Sequence, residues 1–88
     1  MERAVIIGSG NLAEALARAV AKSGLKLVQI FARNAARGQQ VAALAATQWT
    51  ADPARLAEAD IYLIAVSDRA VAEAAASLPI PAGAVVAH

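Results

Sequence analysis

Apolar residues are grouped in short runs that alternate with helical patterns. The run Ala4–Ile7 predicts a buried strand, and a glycine-containing turn separates it from an amphipathic pattern over residues 12–22. Leu25–Ala32 is apolar almost throughout, which is typical of a parallel strand covered on both faces. These elements, in this order, predict a β-α-β unit.

Two helices are predicted to bury one face each. The first ends at Ser23-Gly24, where glycine can take the left-handed conformation. Its expected inward face consists of Leu12, Leu16, Ala19 and Val20. A second helix is predicted from residue 35 to about residue 46, with Asn34 as its N-cap. Its expected inward residues are Val41, Leu44 and Ala45.

The rest of the chain continues the alternation of strands and helices. Asp52 and Pro53 form a favourable helix start, because aspartate caps the helix and proline suits its first position. The predicted elements are a strand at Gln48–Thr50, a short helix from Pro53 to about Ala59, a strand at Ile61–Val66, a helix capped by Ser67 or Asp68 that runs to about Ser77, a turn at Pro79, Pro81 and Gly83, and a strand at Ala84–Ala87.

The complete βαβαβαβαβ pattern predicts an α/β fold with a parallel Rossmann-type sheet, and residues 1–88 are expected to form one domain. Because the pattern ends on a strand, without the second half of a doubly wound sheet, we expect the N-terminal part of a longer protein. Its unpaired edge is expected to favour self-association.

Composition narrows the class of protein. The 88 residues, 59% of them hydrophobic, allow one small domain. The net charge is +1 and the eight basic residues are dispersed, so neither nucleic acid nor a membrane is an expected partner. With no cysteine and one histidine, no metal site is expected. The absence of a signal-peptide pattern favours a cytoplasmic protein.

The glycine turn carries the candidate chemistry. Gly8 permits a tight turn, Gly10 lets the backbone approach a pyrophosphate, and Ala13 keeps the new helix close to its strand. The first-turn amides and the helix dipole would hold the anion. The alternative is a purely structural turn, but the immediate strand and helix around it favour nucleotide binding.

The end of the second predicted strand indicates which dinucleotide is bound. An acidic residue there would accept hydrogen bonds from the ribose 2′-hydroxyl, but this position holds Arg33-Asn34, and no acidic residue occurs between Glu14 and Asp52. Arg33 and Arg37 could together bind a 2′-phosphate, although each taken alone is also typical of a solvated surface charge. NADP is therefore the expected cofactor.

Four segments carry a resemblance to a known family: Val5–Ala13, Phe31–Asn34, Ala59–Asp68 and Val85–His88. Through them the chain resembles Rossmann-like domains of the 6-phosphogluconate dehydrogenase-like superfamily, related to pyrroline-5-carboxylate reductase and to deazaflavin-dependent NADP reductases. A group of uncharacterised NADP oxidoreductases, which couple this domain to a helical second domain, is the most similar. The resemblance covers nearly the whole chain.

The resemblance implies roles for individual residues. Ser9, Asn11 and Leu12 would line the pyrophosphate beside Gly8, Gly10 and Ala13. Arg33, Asn34 and Arg37 would hold the 2′-phosphate. Ala65, Val66 and Ser67 would lie along the ribose and nicotinamide. It also implies a small-molecule substrate and a homo-oligomer, both of which depend on a helical second domain that we do not expect within these 88 residues.

The catalytic residue is not identified by the sequence. Asp68 and Glu73 are spaced so that they do not face each other on a helix, so they are not predicted to form a carboxylate pair. His88 follows the last strand, but without a positioned partner a strand-end role is favoured over acid-base catalysis. Tyr62 and Trp49 are predicted to pack in the core.

Ser67 has two open interpretations, as a helix cap or as a contact to the ligand. For the whole domain we expect the NADP-binding part of an oxidoreductase that transfers hydride between nicotinamide and a small carbonyl or imine. This chain alone is not expected to be active. The alternatives are an NADP-binding sensor without turnover and a structural fragment without a ligand.

Overall fold

The first strand lies at the centre of a parallel sheet. In the computed structural model, which describes residues 2–65, 80 and 83–87, the sheet has five strands in the order β3-β2-β1-β4-β5. The strands are β1 (Arg3–Ile7), β2 (Lys26–Phe31), β3 (Gln48–Thr50), β4 (Ile61–Ile64) and β5 (Val85–Ala87). The chain builds outward from β1 to β3 and then returns to the other side of β1. The predicted Rossmann-type α/β fold is confirmed.

Two helices, α1 (Asn11–Ser23) and α2 (Ala35–Leu44), pack on one face of the sheet. α1 ends as predicted, because Gly24 adopts φ 86°, a left-handed conformation that glycine takes without strain. α2 begins as predicted, because the Asn34 side chain accepts a hydrogen bond from the Arg37 backbone N–H at 3.0 Å. Local capping therefore sets these two helix ends.

The buried face of each helix agrees only in part with the prediction: Val20 and Val41 are buried, and Leu16 and Ala45 pack against the core, as expected. α1 buries Ala13, Ala17 and Val20. Leu12 is instead 53% exposed and Ala19 is also exposed, so their predicted inward positions were wrong. In α2, Val41 is buried as predicted, but Leu44 is 51% exposed, against the prediction. Alanine occurs on both the buried and the exposed side of α1, so alanine positions do not distinguish the two faces. The small side chains are the ones that allow close packing on the sheet.

The segment after β3 is not the helix that was predicted. Its start is correct, because the Asp52 carboxylate accepts from the Ala54 N–H at 2.9 Å. Only a single 3₁₀ turn follows, at Pro53–Arg55, and Leu56 is already extended with ψ 123°. The predicted continuation to about Ala59 was wrong.

Side chains from the sheet replace the missing helical hydrogen bonds. Gln29 of β2 is 5% exposed; its Nε2 donates to the Arg55 carbonyl at 2.9 Å and its Oε1 accepts from the Ala57 N–H at 2.8 Å. The pairing of β1 with β2 shifts register after Ala4, which pairs with Leu27, while the next residue pairs with Gln29. The two hydrogen bonds of the buried amide hold the segment against the second face of the sheet, where Leu56 and Ala57 pack.

Tyr62 is fully buried in β4, as predicted for a core residue. Its hydroxyl donates to the Ala57 carbonyl at 2.6 Å and accepts from the Ala59 N–H at 3.0 Å. Burial, as the largest cause, raises the pKa of the phenol above its ordinary value of 10.0. The folded protein therefore holds this proton more tightly than the unfolded chain does.

A pH dependence of stability follows from the raised pKa of Tyr62. The stabilisation that the protonated Tyr62 gives to the folded protein should be complete below the unfolded pKa of about 10. It should be lost as the pH rises through the folded pKa. We expect Tyr62→Phe to remove this part of the alkaline loss, and to cost about 1–3 kcal/mol at neutral pH because two backbone partners lose their hydrogen bonds. Urea unfolding of both proteins across alkaline pH measures this. Since the chain has one tyrosine, phenolate absorbance reports Tyr62 alone; titration at the ordinary value would contradict the prediction.

Several predictions concern residues outside the described ranges. These are the strand end at Val66, the helix from Ser67 or Asp68 to Ser77 with Glu73, the turn at Pro79 and Pro81, and His88. Among the described residues, no helix has the length and apolar character needed to cross a membrane.

Candidate functional site

The carboxyl ends of β1, β2 and β4 meet at one edge of the sheet. The Gly8 N–H donates to the Phe31 carbonyl at 2.8 Å, and the Ala65 N–H donates to the Ile7 carbonyl at 2.8 Å. β1 is therefore followed by the glycine turn between the ends of β2 and β4. The strand order reverses between β1 and β4, and crevices at such a reversal are where ligands bind in open α/β sheets.

The two glycines of the turn have different structural needs. Gly8 is buried and has φ 136°, a conformation that side-chain-bearing residues rarely adopt, so the tight turn itself requires glycine. Gly10 has φ −82° and ψ −166°, which any residue can adopt. A Cβ atom placed on Gly10 would meet no protein atom within 4 Å. Neither conformation nor packing explains glycine at position 10, whereas a ligand approaching its backbone would.

The N-terminus of α1 has no side-chain cap. Gly10 occupies the N-cap position and makes no side-chain hydrogen bond, whereas Asn34 caps α2 and Asp52 caps the 3₁₀ turn. The first-turn amides of α1 therefore have no side-chain acceptor from the N-cap, and they lie at the positive end of the helix dipole. This arrangement can bind an anion.

Arg37 connects the two helices at this edge of the sheet. Its Nη1 donates to Gln40 Oε1 at 3.0 Å and lies 3.6 Å from Glu14 Oε1, and its Nη2 donates to Asn11 Oδ1 at 3.4 Å. The Arg37 and Glu14 side chains are 27% and 30% exposed. The guanidinium predicted to bind a 2′-phosphate therefore also contacts the first turn of α1.

The other predicted binding residues differ in their exposure and in the contacts that they make. Arg33 is exposed just beyond β2, and the Asn34 side chain is engaged as the α2 cap. Ala13 is fully buried against the sheet, which brings α1 close to β1, while Leu12 is exposed on the same turn. Ser9 is partly exposed, Ala65 is buried, and Val66 and Ser67 lie outside the described residues. The structure thus brings together the glycine turn, Asn11, Arg37 and Ala65.

Sequence reasoning missed two contacts beside this site. The first is Glu14, whose carboxylate lies next to Arg37 although the two are far apart in sequence. The second is Gly38, where an added Cβ would collide with the Trp49 indole. The Trp49 Nε1–H donates to the Ala32 carbonyl at 2.9 Å, which holds the indole under α2. A glycine inside a predicted helix was the available signal for such close packing.

Two further features do not form sites. Among the described residues, no group of three or more histidine or acidic side chains could hold a metal ion. A groove of about 180 Å³ lies between the later part of α1 and the end of α2. It is lined by Ala17, Arg18, Ala21, Lys22, Leu44 and Ala45. It lies toward the opposite end of α1 from the glycine turn, and four of its six lining residues are apolar, so we do not assign it a ligand.

Comparisons with known proteins identify the family of this chain and agree with its fold. Residues 3–87 match the model of a family described as NADP oxidoreductase, coenzyme F420-dependent. A comparison with curated proteins found no match. Among solved structures, a proposed NADP oxidoreductase from Bacteroides fragilis is 28% identical with a TM-score of 0.84, and the match covers 97% of this chain and 34% of that one.

Two other solved structures share the fold. The UDP-N-acetylglucosamine 3-dehydrogenase of Acidithiobacillus ferrooxidans is 29% identical with a TM-score of 0.73, covering 97% of this chain and 28% of that one. A variant imine reductase from Myxococcus stipitatus, in complex with NAD⁺, is 21% identical with a TM-score of 0.72, covering 98% and 29%. The chain thus spans about a third of the length of these proteins.

Proposed function

The chain belongs to the family described as NADP oxidoreductase, coenzyme F420-dependent, and from that premise we propose that its glycine turn binds the pyrophosphate of NADP(H). Gly10 is the observation that carries this proposal. Its backbone is in an ordinary conformation and its Cβ position is open, so glycine there is explained by the close approach of a ligand. The uncapped amides of α1 would bind the ligand's negative charge.

We propose a preference for NADP over NAD because of the charges near the end of β2. Arg33 and Arg37 are close in sequence on either side of the α2 cap, and no acidic residue occurs between Glu14 and Asp52. A 2′-phosphate would gain charge-assisted hydrogen bonds from the guanidinium groups, while the segment after β2 offers no carboxylate to accept a hydrogen bond from the 2′-hydroxyl of NAD.

The proposed reaction is hydride transfer between the nicotinamide and a small carbonyl or imine carbon. The nicotinamide supplies the hydride chemistry, and this chain's residues bind and orient the dinucleotide. We further propose that a second domain holds the substrate, that the complete protein forms a homo-oligomer and that it acts in the cytoplasm. Oxidation of NADPH by the complete protein, with carbonyls, imines or coenzyme F420 offered as acceptors, tests the reaction and distinguishes the enzyme from an NADP sensor.

Parallel calorimetric titrations with NADPH and NADH test the binding proposal. We expect both to bind, with NADPH bound more tightly. Binding of neither dinucleotide by the folded protein would refute the assignment of the glycine turn as a pyrophosphate site. Equal affinities would leave that assignment intact and refute the preference for the 2′-phosphate.

Arg33→Ala should weaken NADPH binding roughly tenfold and leave NADH binding nearly unchanged, because a charge-assisted hydrogen bond to the phosphate is lost. Calorimetry with both dinucleotides measures this. Arg55→Ala is the matched control, since Arg55 is an exposed cation beside Asp52 after β3, away from the glycine turn. An equal loss for NADPH and NADH in Arg33→Ala would contradict the proposed phosphate contact.

A further inference from the structure

Arg37 lies where it can act on both parts of the proposed cofactor site. It belongs to the first turn of α2, close to Arg33, yet its guanidinium contacts Asn11 and Glu14 in the first turn of α1. Asn11 follows Gly10 directly and carries one of the first amides of the helix. One side chain therefore joins the proposed 2′-phosphate site to the proposed pyrophosphate site.

Glu14 is unfavourably placed for an anionic ligand. A carboxylate in the first turn stabilises a free helix through the dipole, but it repels a pyrophosphate bound at the same helix end. Arg37 is the cation that the structure places beside it, at 3.6 Å. Because both side chains are about 30% exposed, the pair is partly screened, and its effect on a nearby anion is moderate.

The hydrogen bonds of Arg37 also leave donors for a ligand. Nη1 is directed to Gln40 and Glu14, and Nη2 donates one hydrogen bond, to Asn11. Guanidinium carries five N–H donors, and no described residue accepts from Nε. Arg37 can therefore keep its contacts with α1 while it donates to a phosphate.

We propose that Arg37 is a positioning residue of the glycine turn: it neutralises Glu14, and so supports the binding of a pyridine dinucleotide whether or not a 2′-phosphate is present. This inference rests on the proposed function. It separates the two arginines, because Arg33 would act on the 2′-phosphate alone, whereas Arg37 would also act on the pyrophosphate.

The test measures NADH and NADPH affinities by calorimetry for the wild type, Arg37→Ala, Glu14→Gln and the double variant. We expect Arg37→Ala to weaken NADH binding about fivefold through the exposed Glu14 charge, and NADPH binding by more. Glu14→Gln in the Arg37→Ala background should restore NADH affinity to within about twofold of the wild type, but should not fully restore NADPH affinity. Arg55→Ala again controls for the loss of one positive charge.

The outcomes separate this inference from the proposed function. If the wild type binds both dinucleotides and Arg37→Ala leaves NADH affinity unchanged, the positioning role is refuted while the proposed function stands. The same holds if NADH affinity falls but Glu14→Gln does not restore it. If the folded wild type binds neither dinucleotide, the proposed function itself fails. Circular dichroism of each variant verifies that the fold is retained.

Discussion

Gly10→Val should weaken NADPH binding by about 100-fold or more while leaving the protein folded. The proposed pyrophosphate approaches the backbone at Gly10, and a β-branched side chain would occupy that space. The protein itself offers no obstacle, because the Cβ position is open and the φ of −82° suits valine. The expected cost in stability is below about 1 kcal/mol, the difference between glycine and an apolar residue at an N-cap.

Two control variants separate binding from stability. Gly10→Ser should raise stability by a few tenths of a kcal/mol, because serine is a better N-cap than glycine, yet it should still weaken binding. Gly24→Ala, at the other end of α1, should cost about 1 kcal/mol because φ is 86° there, yet it should leave affinity unchanged. Calorimetry with NADPH and thermal unfolding measure both quantities.

If Gly10→Val binds NADPH as tightly as the wild type, the ligand does not approach this backbone. If instead Gly10→Val unfolds, its affinity is uninformative by itself, and Gly10→Ser decides the matter. Unchanged affinity in a stable Gly10→Ser protein would contradict the proposed pyrophosphate site.

Gly38→Ala should destabilise the protein by about 2 kcal/mol, although alanine is the better helix former. The new Cβ would collide with the Trp49 indole, whose Nε1–H is bonded to the Ala32 carbonyl. Either the indole moves and loses that bond, or α2 moves away from β3. Urea unfolding followed by circular dichroism measures the free energy.

A double-mutant cycle assigns this cost to the indole. In a Trp49→Leu background, Gly38→Ala should lose its penalty and stabilise the protein by up to about 1 kcal/mol, the difference in helix propensity. A penalty that persists without the indole would contradict the packing explanation. Because Arg37 precedes Gly38 in α2, movement of this helix should also weaken NADPH binding, which the same variants can report by calorimetry.

Local structure followed from short-range chemistry that the sequence displays. The strand, glycine turn and helix at the start of the chain were predicted because Ala4–Ile7 is continuously apolar and the glycines follow directly. Gly24 and Asn34 set helix ends through hydrogen bonds and backbone angles within a few residues. Such interactions depend on neighbours in the sequence, so the pattern contains them.

The short helix after Asp52 was predicted wrongly because its competitors come from elsewhere in the chain. The local signal set the first turn, but the Ala57 and Ala59 amides bind Gln29 and Tyr62 instead of continuing a helix. Likewise, Leu12 and Leu44 are exposed because alanine, which is abundant in both helices, fits the close contact with the sheet. Tertiary contacts overrode local preference in each case.

The sequence by itself determined the α/β class, the order of the strands along the chain and the candidate glycines and arginines. Only the tertiary structure decided that β1 lies between β2 and β4, that Arg37 meets Glu14, and that Trp49 packs against Gly38. These contacts join residues that are distant in sequence, so they depend on how the strands are ordered in space. A local pattern of polar and apolar residues does not specify which residues distant in sequence come into contact.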